Sequence, residues 1–285
     1  MIGLSSSYFA FQGKGIYDSV KNAFELGFET VELGAGHKYE KDAWKTVRRI
    51  KREFPDKNYT VHALFPPREK RVWFNPSYGL TKENISITDN LFRAAEIVEA
   101  KVVSVHPGFL NELGFSFDKV RGFDVIKVGK ALPVEKSWQN FTKWCAYANS
   151  SAKETGVKFA IENIHGSEAM PLIFSVQDFR KVFSSFPEMG MLLDYGHALF
   201  EGLAGDFISA FHSKIFQVHM HRSRAKSKTQ QKDEHAPITS MAQLEPFERV
   251  ERFKRIPVIF EHGTNVSEKE LLAEKKLLEE FEKKV

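Results

Sequence analysis

The sequence has little cysteine and no long apolar run, and each shortage excludes a class of protein. The single cysteine, Cys145, excludes an internal disulfide framework and a thiolate-rich zinc site, so a bound metal would need histidine and carboxylate ligands. No apolar run approaches the roughly 18 residues that a membrane-spanning helix needs. The first residues lack the charged and apolar regions of a secretion signal, so we expect a cytoplasmic protein without a membrane partner.

A glycine-rich phosphate-binding turn and a strong charge imbalance are also absent. The residues after the first predicted strand are Ser5, Ser6, Ser7 and Tyr8, at the position where a nucleotide-binding sheet carries glycines. The formal net charge of +4 allows an anionic substrate without requiring one. Hydrophobic residues make up 42% of the chain, which is typical of a globular protein rather than a disordered one.

What the 285 residues do contain is a regular alternation of β-branched runs and amphipathic, helix-length segments. Strands that alternate with helices indicate parallel pairing through right-handed crossovers. Eight such units predict an α/β fold, a single (β/α)8 TIM barrel over residues 1–285, with an open doubly wound sheet as the alternative. The predicted strands are residues 1–4, 30–33, 59–62, 102–106, 158–162, 190–194, 215–219 and 256–261. The predicted helices include residues 18–26, 42–53, 83–100, 137–154, 175–186 and 268–284.

Three segments without clear periodicity follow predicted strands, at residues 66–80, 108–133 and 220–240. In a barrel, the loops after the strands lie on the face that carries function. We therefore expect all three segments on the catalytic face, with no linker between domains.

Six consecutive predicted strands end on a side chain that can bind a metal ion. Strand ends in a closed barrel converge on one axial pocket, so these residues are predicted to meet although they are distant in sequence. Carboxylates gathered there without a cation would repel one another in a partly desolvated site. Nitrogen and oxygen ligands are suited to Zn²⁺ or Mn²⁺. The six strand-end residues are His62, His106, Glu162, Asp194, His219 and Glu261.

Three further residues extend this set to nine predicted ligands, enough for up to three metal ions. His197 lies three residues after Asp194, on what we predict to be the loop after the sixth strand. Asp233 and His235 lie near the end of the long loop after the seventh strand, and an Asp-x-His pair points both side chains the same way in an extended segment.

These residues, in order and with the motifs around them, resemble the endonuclease IV family (AP endonuclease family 2) of the xylose isomerase-like TIM barrel superfamily. The resemblance covers about residues 60–262, and after His62 and His235 the chain departs from the usual family pattern. The motifs that carry the resemblance are His106-Pro107-Gly108, Glu162-Asn163 with Gly166, Asp194-x-x-His197 and Asp233-x-His235.

The resemblance implies a metal-dependent hydrolase that cleaves DNA at abasic sites in DNA repair. It implies a trinuclear zinc centre in which His62, His106 and Glu162 hold the first ion and His197, Asp233 and His235 hold the third. The second ion is implied on Glu162, Asp194, His219 and Glu261. Glu162 would bridge two ions, and Glu162 and Glu261 are the predicted catalytic residues.

Other residues near the strand ends are candidates for contact with substrate. The loop after the seventh strand is basic, and clustered cations there can bind phosphate. Phe65 begins an aromatic and basic segment that suits either stacking on unpaired bases or a lid on the barrel mouth. His165, His221 and His262 are predicted to support the ligands rather than bind metal. The predicted substrate-binding residues are Glu32, His37, Phe65, Arg222, Arg224 and Lys226, with Lys228 and Lys232 in the same basic loop.

The alternative function is a sugar or sugar-phosphate isomerase or epimerase of the same superfamily. This enzyme would need one divalent ion. Glu162 and Glu261 would move a proton on the substrate, and His197 would hold the substrate. This alternative leaves His62, His106, Asp233 and His235 without a metal to bind, so we place it second. A binding protein without catalytic activity would not need so many converging ligands. We expect a monomer that acts on abasic DNA, or on a small sugar phosphate in the alternative.

Overall fold

The computed structural model describes residues 1–70, 72–118, 123–166, 169–250 and 253–284. Eight parallel strands close into a barrel, which confirms the predicted (β/α)8 fold. Around the barrel the strands follow the order β1, β2, β3, β4, β7, β8, β9 and β10, and two more strands form a separate hairpin. The strands are β1 Ile2–Ser5, β2 Thr30–Leu33, β3 Asn58–His62, β4 Val102–Val105, β5 Asn111–Asp118, β6 Phe123–Ala131, β7 Lys158–Glu162, β8 Gly190–Asp194, β9 Ile215–Met220 and β10 Val258–Phe260.

Strand β1 closes the barrel by pairing with β2 on one side and β10 on the other. Gly3 lies opposite Thr30 in one ladder and opposite Ile259 in the other. A Cβ atom at Gly3 would lie 2.6 Å from the Ile259 side chain and 2.8 Å from the Thr30 carbonyl oxygen. The close approach of three backbones at this seam therefore requires glycine.

Helices cover the outside of the barrel, and side chains define where several of them begin. Thr81 Oγ1 accepts the Asn84 N–H at 3.1 Å at the start of α4, and Ser175 and Asp178 form a reciprocal capping box at α6. No helix in the described ranges is long and apolar enough to cross a bilayer. The helices are α1 Ser7–Ala10, α2 Ile16–Glu25, α3 Ala43–Glu53, α4 Lys82–Val98, α5 Val134–Thr155, α6 Val176–Ser185, α7 Tyr195–Phe200, α8 Ala204–Phe211 and α9 Glu268–Lys284, with short 3₁₀ turns at Pro76–Tyr78, Met241–Gln243, Glu245–Arg249 and Phe253–Arg255.

One segment predicted to be irregular contains regular structure. Strands β5 and β6 form an antiparallel hairpin within residues 108–133, after β4. The sequence alternates apolar and polar residues through Phe115, Ser116 and Phe117, which is the period-two signal of a strand. The prediction missed it because a hairpin is not part of the strand–helix repeat.

The main hydrophobic core lies between the barrel strands and the surrounding helices. Trp144 is fully buried on α5, and its indole N–H donates to Thr88 Oγ1 of α4 at 3.0 Å. Cys145 beside it is also fully buried, and burial raises the pKa of its thiol well above the usual value. Cys145 is therefore a buried, unreactive thiol.

Candidate metal centre

The six strand-end residues meet at the carboxyl-terminal mouth of the barrel. His62, Glu162 and Asp194 are the last residues of β3, β7 and β8, and His219 is the penultimate residue of β9. His106 and Glu261 are the first residues after β4 and β10. Because the strands are parallel, all six side chains lie at one end, as predicted.

The first set of candidate ligands consists of His62, His106 and Glu162. Glu162 Oε2 lies 3.3 Å from Nε2 of both imidazoles, and His62 Nδ1 is hydrogen-bonded to Ser104 Oγ at 3.0 Å. The side chain of His106 is 38% exposed while that of Glu162 is 1% exposed. Solvent at the mouth of the barrel therefore reaches this set beside the His106 side chain.

The second set consists of Glu162, Asp194, His219 and Glu261, whose candidate ligand atoms all lie within 4.8 Å of one another. His219 Nδ1 lies 3.2 Å from Glu261 Oε2 and 3.8 Å from both Glu162 Oε1 and Asp194 Oδ2. Glu162 thus belongs to the first and second sets at once. This is the bridging position that the sequence resemblance implies.

The third set contains His197, Asp233 and His235, and the structure adds His221 to it. Asp233 Oδ2 lies 2.9 Å from His235 Nε2 and 3.7 Å from His197 Nε2. His235 has a left-handed backbone conformation at φ 45°, and its Nδ1 hydrogen-bonds the carbonyl oxygen of Glu261 at 2.7 Å. This bond leaves His235 Nε2 directed toward Asp233.

The predicted loop position of His197 was wrong, because α7 begins immediately after β8. Asp194 caps this helix: its Oδ1 accepts the His197 N–H at 2.6 Å. The Asp194 carboxylate therefore belongs to the second set and also fixes the backbone at His197, a member of the third set. Asp194 is itself aligned by Asn163, whose side chain accepts the Asp194 N–H and donates to its carbonyl oxygen.

Burial and mutual proximity shift the pKa values of the carboxyl groups in opposite directions. Burial alone would raise the pKa of Glu162, but the imidazoles of His106 and His62 hold it well below the usual range. Burial and the carboxylates of Glu162 and Glu261 raise the pKa of Asp194 well above its usual value. The pKa values of these two neighbouring carboxyl groups are therefore shifted in opposite directions.

The pKa values of the imidazoles are also shifted in both directions. Burial lowers the pKa of His197 to about 4. Burial also opposes protonation of His235, but its hydrogen bond to Asp233 raises the pKa to about 10. For His219, the carboxylates of Glu32 and Glu261 outweigh burial and raise the pKa well above the usual value. A bound cation would displace such protons and take over their charge.

The donor set fits divalent metal ions. Glu162 Oε2, His219 Nδ1 and His221 Nδ1 are buried atoms without a hydrogen-bond partner among the described residues. Unpaired buried acceptors are costly, and a cation satisfies several at once. Neutral imidazoles and carboxylates are the ligands expected for Zn²⁺ or Mn²⁺, and the residues of all three sets would hold such ions.

Glu32 lies beneath the second set rather than in the open mouth. It is fully buried, and its Oε2 lies 2.9 Å from His219 Nε2 and 2.5 Å from Gln217 Nε2. A histidine that ligates metal through one nitrogen commonly donates its other N–H to a carboxylate. Glu32 can therefore orient His219, a role different from the contact with substrate that the sequence predicts.

Two adjoining cavities open onto the centre. The larger, ≈ 520 Å³, lies between the segments after β2 and β3 and is lined by His37, Trp73 and His106. The smaller, ≈ 260 Å³, shares Trp73 and His106 with it and reaches Glu162 and Glu261. His37 therefore lines the approach to the centre, as expected of a residue that contacts substrate.

Phe65 lies behind the wall of the larger cavity rather than on its surface. It is 1% exposed and packs edge-to-face against His37, with ring centroids 6.2 Å apart. His37 Nε2 is 2.9 Å from Ser6 Oγ, and burial lowers the pKa of His37 to about 4. Phe65 thus contacts a residue of the cavity wall, so the packing of a lid describes it better than stacking on a base.

The basic loop after β9 is partly neutralised from within. Arg224 forms an ion pair with Glu234 at 2.7 Å, and Lys226 Nζ lies 3.5 Å from Glu201 Oε1. Arg222 is half-buried and pairs through its backbone with Ala236. Arg224 therefore pairs within the loop and Lys226 pairs with Glu201 at the end of α7, two contacts that the sequence pattern did not reveal.

The three histidines predicted to support the ligands occupy different positions. His165 packs edge-to-face on His197 with centroids 4.7 Å apart. His262 connects Glu274 of α9 to the carbonyl oxygen of His235. His221 lies inside the third set, closer to the metal position than the sequence predicts.

The fold and the site together define a class of protein, a (β/α)8 barrel whose carboxyl-terminal mouth gathers histidine and carboxylate side chains. Residues 20–274 match the xylose isomerase-like TIM barrel family, and the chain belongs to this family. The match confirms the superfamily that the sequence motifs implied. No curated protein matches the chain.

Solved structures with the same fold include sugar epimerases and a member of a nuclease family. A D-tagatose 3-epimerase-like protein has a TM-score of 0.70 at 17% identity, over 99% of this chain and 97% of that chain. D-psicose 3-epimerase from Clostridium cellulolyticum H10 has a TM-score of 0.65 at 13% identity, over 99% and 98%. An AP endonuclease of family 2 from Brucella melitensis has a TM-score of 0.66 at 13% identity, over 95% and 96%. Such low identities show the fold alone.

Proposed function

We propose that the chain is a metal-dependent phosphodiester hydrolase that cleaves DNA at abasic sites, as the resemblance to the endonuclease IV family implies. The observation that carries the proposal is that three groups of candidate ligands correspond to the three sets, two of which share Glu162, while a fourth group, Glu32 with His62 and His219, overlaps the first two sets. A mononuclear isomerase would use the second set only. The imidazoles of the first set and the whole third set would then have no role.

Glu162 and Glu261 would have different roles in the proposed reaction. Divalent ions, when bound, lower the pKa of water and neutralise charge on phosphate oxygens. Glu162 joins the first and second sets, and its fully buried position fixes the geometry of both. Glu261 is 26% exposed and lies at the mouth, where it can orient a water molecule or accept its proton.

The cavities support a substrate that inserts a residue into the barrel mouth. An abasic nucleotide has no base to unstack or unpair, so its extrusion from a duplex costs less than that of a normal nucleotide. Together the two cavities connect the aromatic surface of Trp73 with the carboxylates of Glu162 and Glu261. A flipped sugar-phosphate could therefore reach the centre while Trp73 contacts the neighbouring duplex.

The second candidate is a sugar epimerase or isomerase, and one observation favours it specifically. The second set by itself contains two carboxylates, Glu162 and Glu261, on either side of His219. Such a pair can remove a proton from one face of a sugar carbon and return it to the other. Several structures of similar fold are those of sugar epimerases.

A double substitution in the third set distinguishes the two functions. We expect Asp233→Asn with His235→Gln to abolish cleavage of duplex DNA with one abasic site, while activity on a ketose would survive if the protein were an epimerase. The control is Asp206→Asn with His212→Gln, the same chemical change at exposed positions of α8 and its end. The assay follows cleavage of a labelled duplex by the zinc-loaded protein. Intact abasic DNA together with interconversion of a ketose would overturn the hydrolase proposal.

A further inference from the structure

His221 is a buried histidine of the third set that the proposed reaction does not require. It follows β9 directly, is fully buried, and stacks on His235 with ring centroids 4.0 Å apart and an interplanar angle of 13°. A buried imidazole needs partners for both ring nitrogens, because each is a hydrogen-bonding or ligating group.

One nitrogen of His221 is already engaged. Its Nε2 lies 3.0 Å from Asp194 Oδ1 and 3.1 Å from Asp194 Oδ2. A carboxylate can only accept hydrogen bonds, so Nε2 carries the proton and donates it to Asp194. The other nitrogen, Nδ1, is then left with an unprotonated lone pair.

That lone pair faces a carboxylate. His221 Nδ1 has no hydrogen-bond partner in the part of the chain that the structure describes, and it lies 3.8 Å from Asp233 Oδ1. Asp233 Oδ1 also accepts the Glu234 N–H at 2.8 Å, whereas a cation between the two atoms would supply the partner that His221 Nδ1 lacks. Ligand atoms about 2.0–2.1 Å from a shared ion lie some 3–4 Å apart, which fits this distance.

We propose that His221 Nδ1 is a fourth protein ligand of the third metal ion, alongside His197, Asp233 and His235. The candidate ligand atoms of these four residues all lie within 4.8 Å of one another. The hydrogen bond from Nε2 to Asp194 is the carboxylate support that a ligating histidine usually has. The inference rests on the proposed metal centre, but not on which reaction the protein catalyses.

Four protein ligands give this ion a different character from that of a three-ligand site. A tetrahedral site closed by protein side chains is typical of structural zinc, whereas catalytic zinc keeps an open position. The third ion would therefore fix α7 and the Asp233–His235 segment in place. Because Asp194 accepts from His221 and also belongs to the second set, the closed site also orients a ligand of its neighbour.

The absence of a side chain at Gly196 leaves the space that the His221 ring occupies. A Cβ atom at Gly196, in α7, would lie 1.9 Å from His221 Cε1 and 2.0 Å from Nδ1. Any larger residue at 196 must push the ring away from the third set. By contrast, a Cβ atom at Gly205 in α8 would meet no atom within 4 Å, so Gly205→Ala is a matched control.

The test counts metal ions and does not involve substrate. The full-length protein is loaded with Zn²⁺, freed of excess metal and analysed for zinc per chain, and its Co²⁺ form is examined by visible absorption. In His221→Gln the amide nitrogen can take the place of Nε2 and still donate to Asp194, but there is no lone pair at Nδ1. We expect about three zinc ions in the wild type and two in this variant, with loss of the intense absorption of a tetrahedral cobalt site.

Gly196→Ala should lose the same zinc ion, and Gly205→Ala should retain all three. If His221→Gln kept three ions and an unchanged cobalt spectrum, His221 would only support Asp194 and the proposal would be overturned. A wild type that binds two ions or fewer would also overturn it. Failure to cleave abasic DNA would overturn the proposed function and leave the metal count unaffected.

Discussion

Glu162 is the residue on which most of the centre depends, because its two oxygens face imidazoles of all three sets. Oε2 lies 3.3 Å from His62 and His106, and Oε1 lies 3.5 Å from His197 and 3.8 Å from His219. Replacing this carboxylate by an amide removes one negative charge from the middle of the cluster. The surrounding nitrogens would keep their positions but lose the anion that balances a bound cation.

We expect Glu162→Gln to reduce activity by more than the 10–100-fold that is typical of changes around metal ligands. It should also lower the metal content, since two sets lose a shared ligand, while circular dichroism shows an unchanged fold. The matched control is Glu188→Gln, the same change in an exposed carboxylate. Equal losses in Glu162→Gln and in a variant of His165 would show that the ligand assignment is wrong.

At the scale of elements, the C-terminal helix α9 is tied to the third set by one buried carboxylate. Glu274 Oε1 accepts the Ile238 N–H at 2.8 Å, and its Oε2 is 2.7 Å from His262 Nε2. His262 Nδ1 in turn donates to the carbonyl oxygen of His235 at 2.9 Å. The helix therefore holds the backbone that presents His235.

We expect Glu274→Ala to weaken zinc binding at the third set by about 10–100-fold, as changes that support ligands usually do. Leaving a buried nitrogen of His262 without its hydrogen-bond partner should also lower the free energy of unfolding by about 1–3 kcal/mol. Glu274→Gln should retain most zinc binding, because an amide can accept from Ile238 and donate to His262. Zinc competition with a chelator checks both, and Glu280→Ala on the exposed face of α9 is the control. Equal zinc affinity in all three variants would contradict the link.

The elements show which parts of the site the sequence can predict. The convergence of the strand-end residues was predictable because a parallel barrel brings the ends of distant strands together, so position in the repeat was enough. Asp194 is also a favoured helix-capping residue and so indicated the start of α7. The prediction missed this signal because Asp194 was interpreted only as a metal ligand. The role of His221 could not be predicted, because it depends on ring stacking and on the space that Gly196 leaves.

For the whole molecule, metal binding and folding stability should be coupled. The centre gathers buried carboxylates from β7 and β8 with Glu261 beyond β10, and the unfolded chain has no such arrangement. A ligand that binds only the folded state stabilises it by about 4 kcal/mol for each site at a free concentration 1,000 times its Kd. We expect the Tm to fall on treatment with a chelator and to recover with Zn²⁺, as measured by calorimetry. The recovery of the Tm should be smaller in Glu162→Gln. A Tm that does not change with chelator or Zn²⁺ would contradict a metal centre in the folded protein.

The order of the ligands along the chain has a consequence for biosynthesis. His62 precedes Glu261 by roughly 200 residues, which a ribosome takes about 10–40 s to add at 5–20 residues per second. Strand β1 cannot complete its pairing until β10 has been made, so a nascent chain displays its first histidines long before the partners of those residues exist. If the centre binds metal as proposed, incorporation belongs to a late stage of maturation, after translation has passed Glu261. Until then, a metal ion would meet only separate histidines and carboxylates with weak affinity.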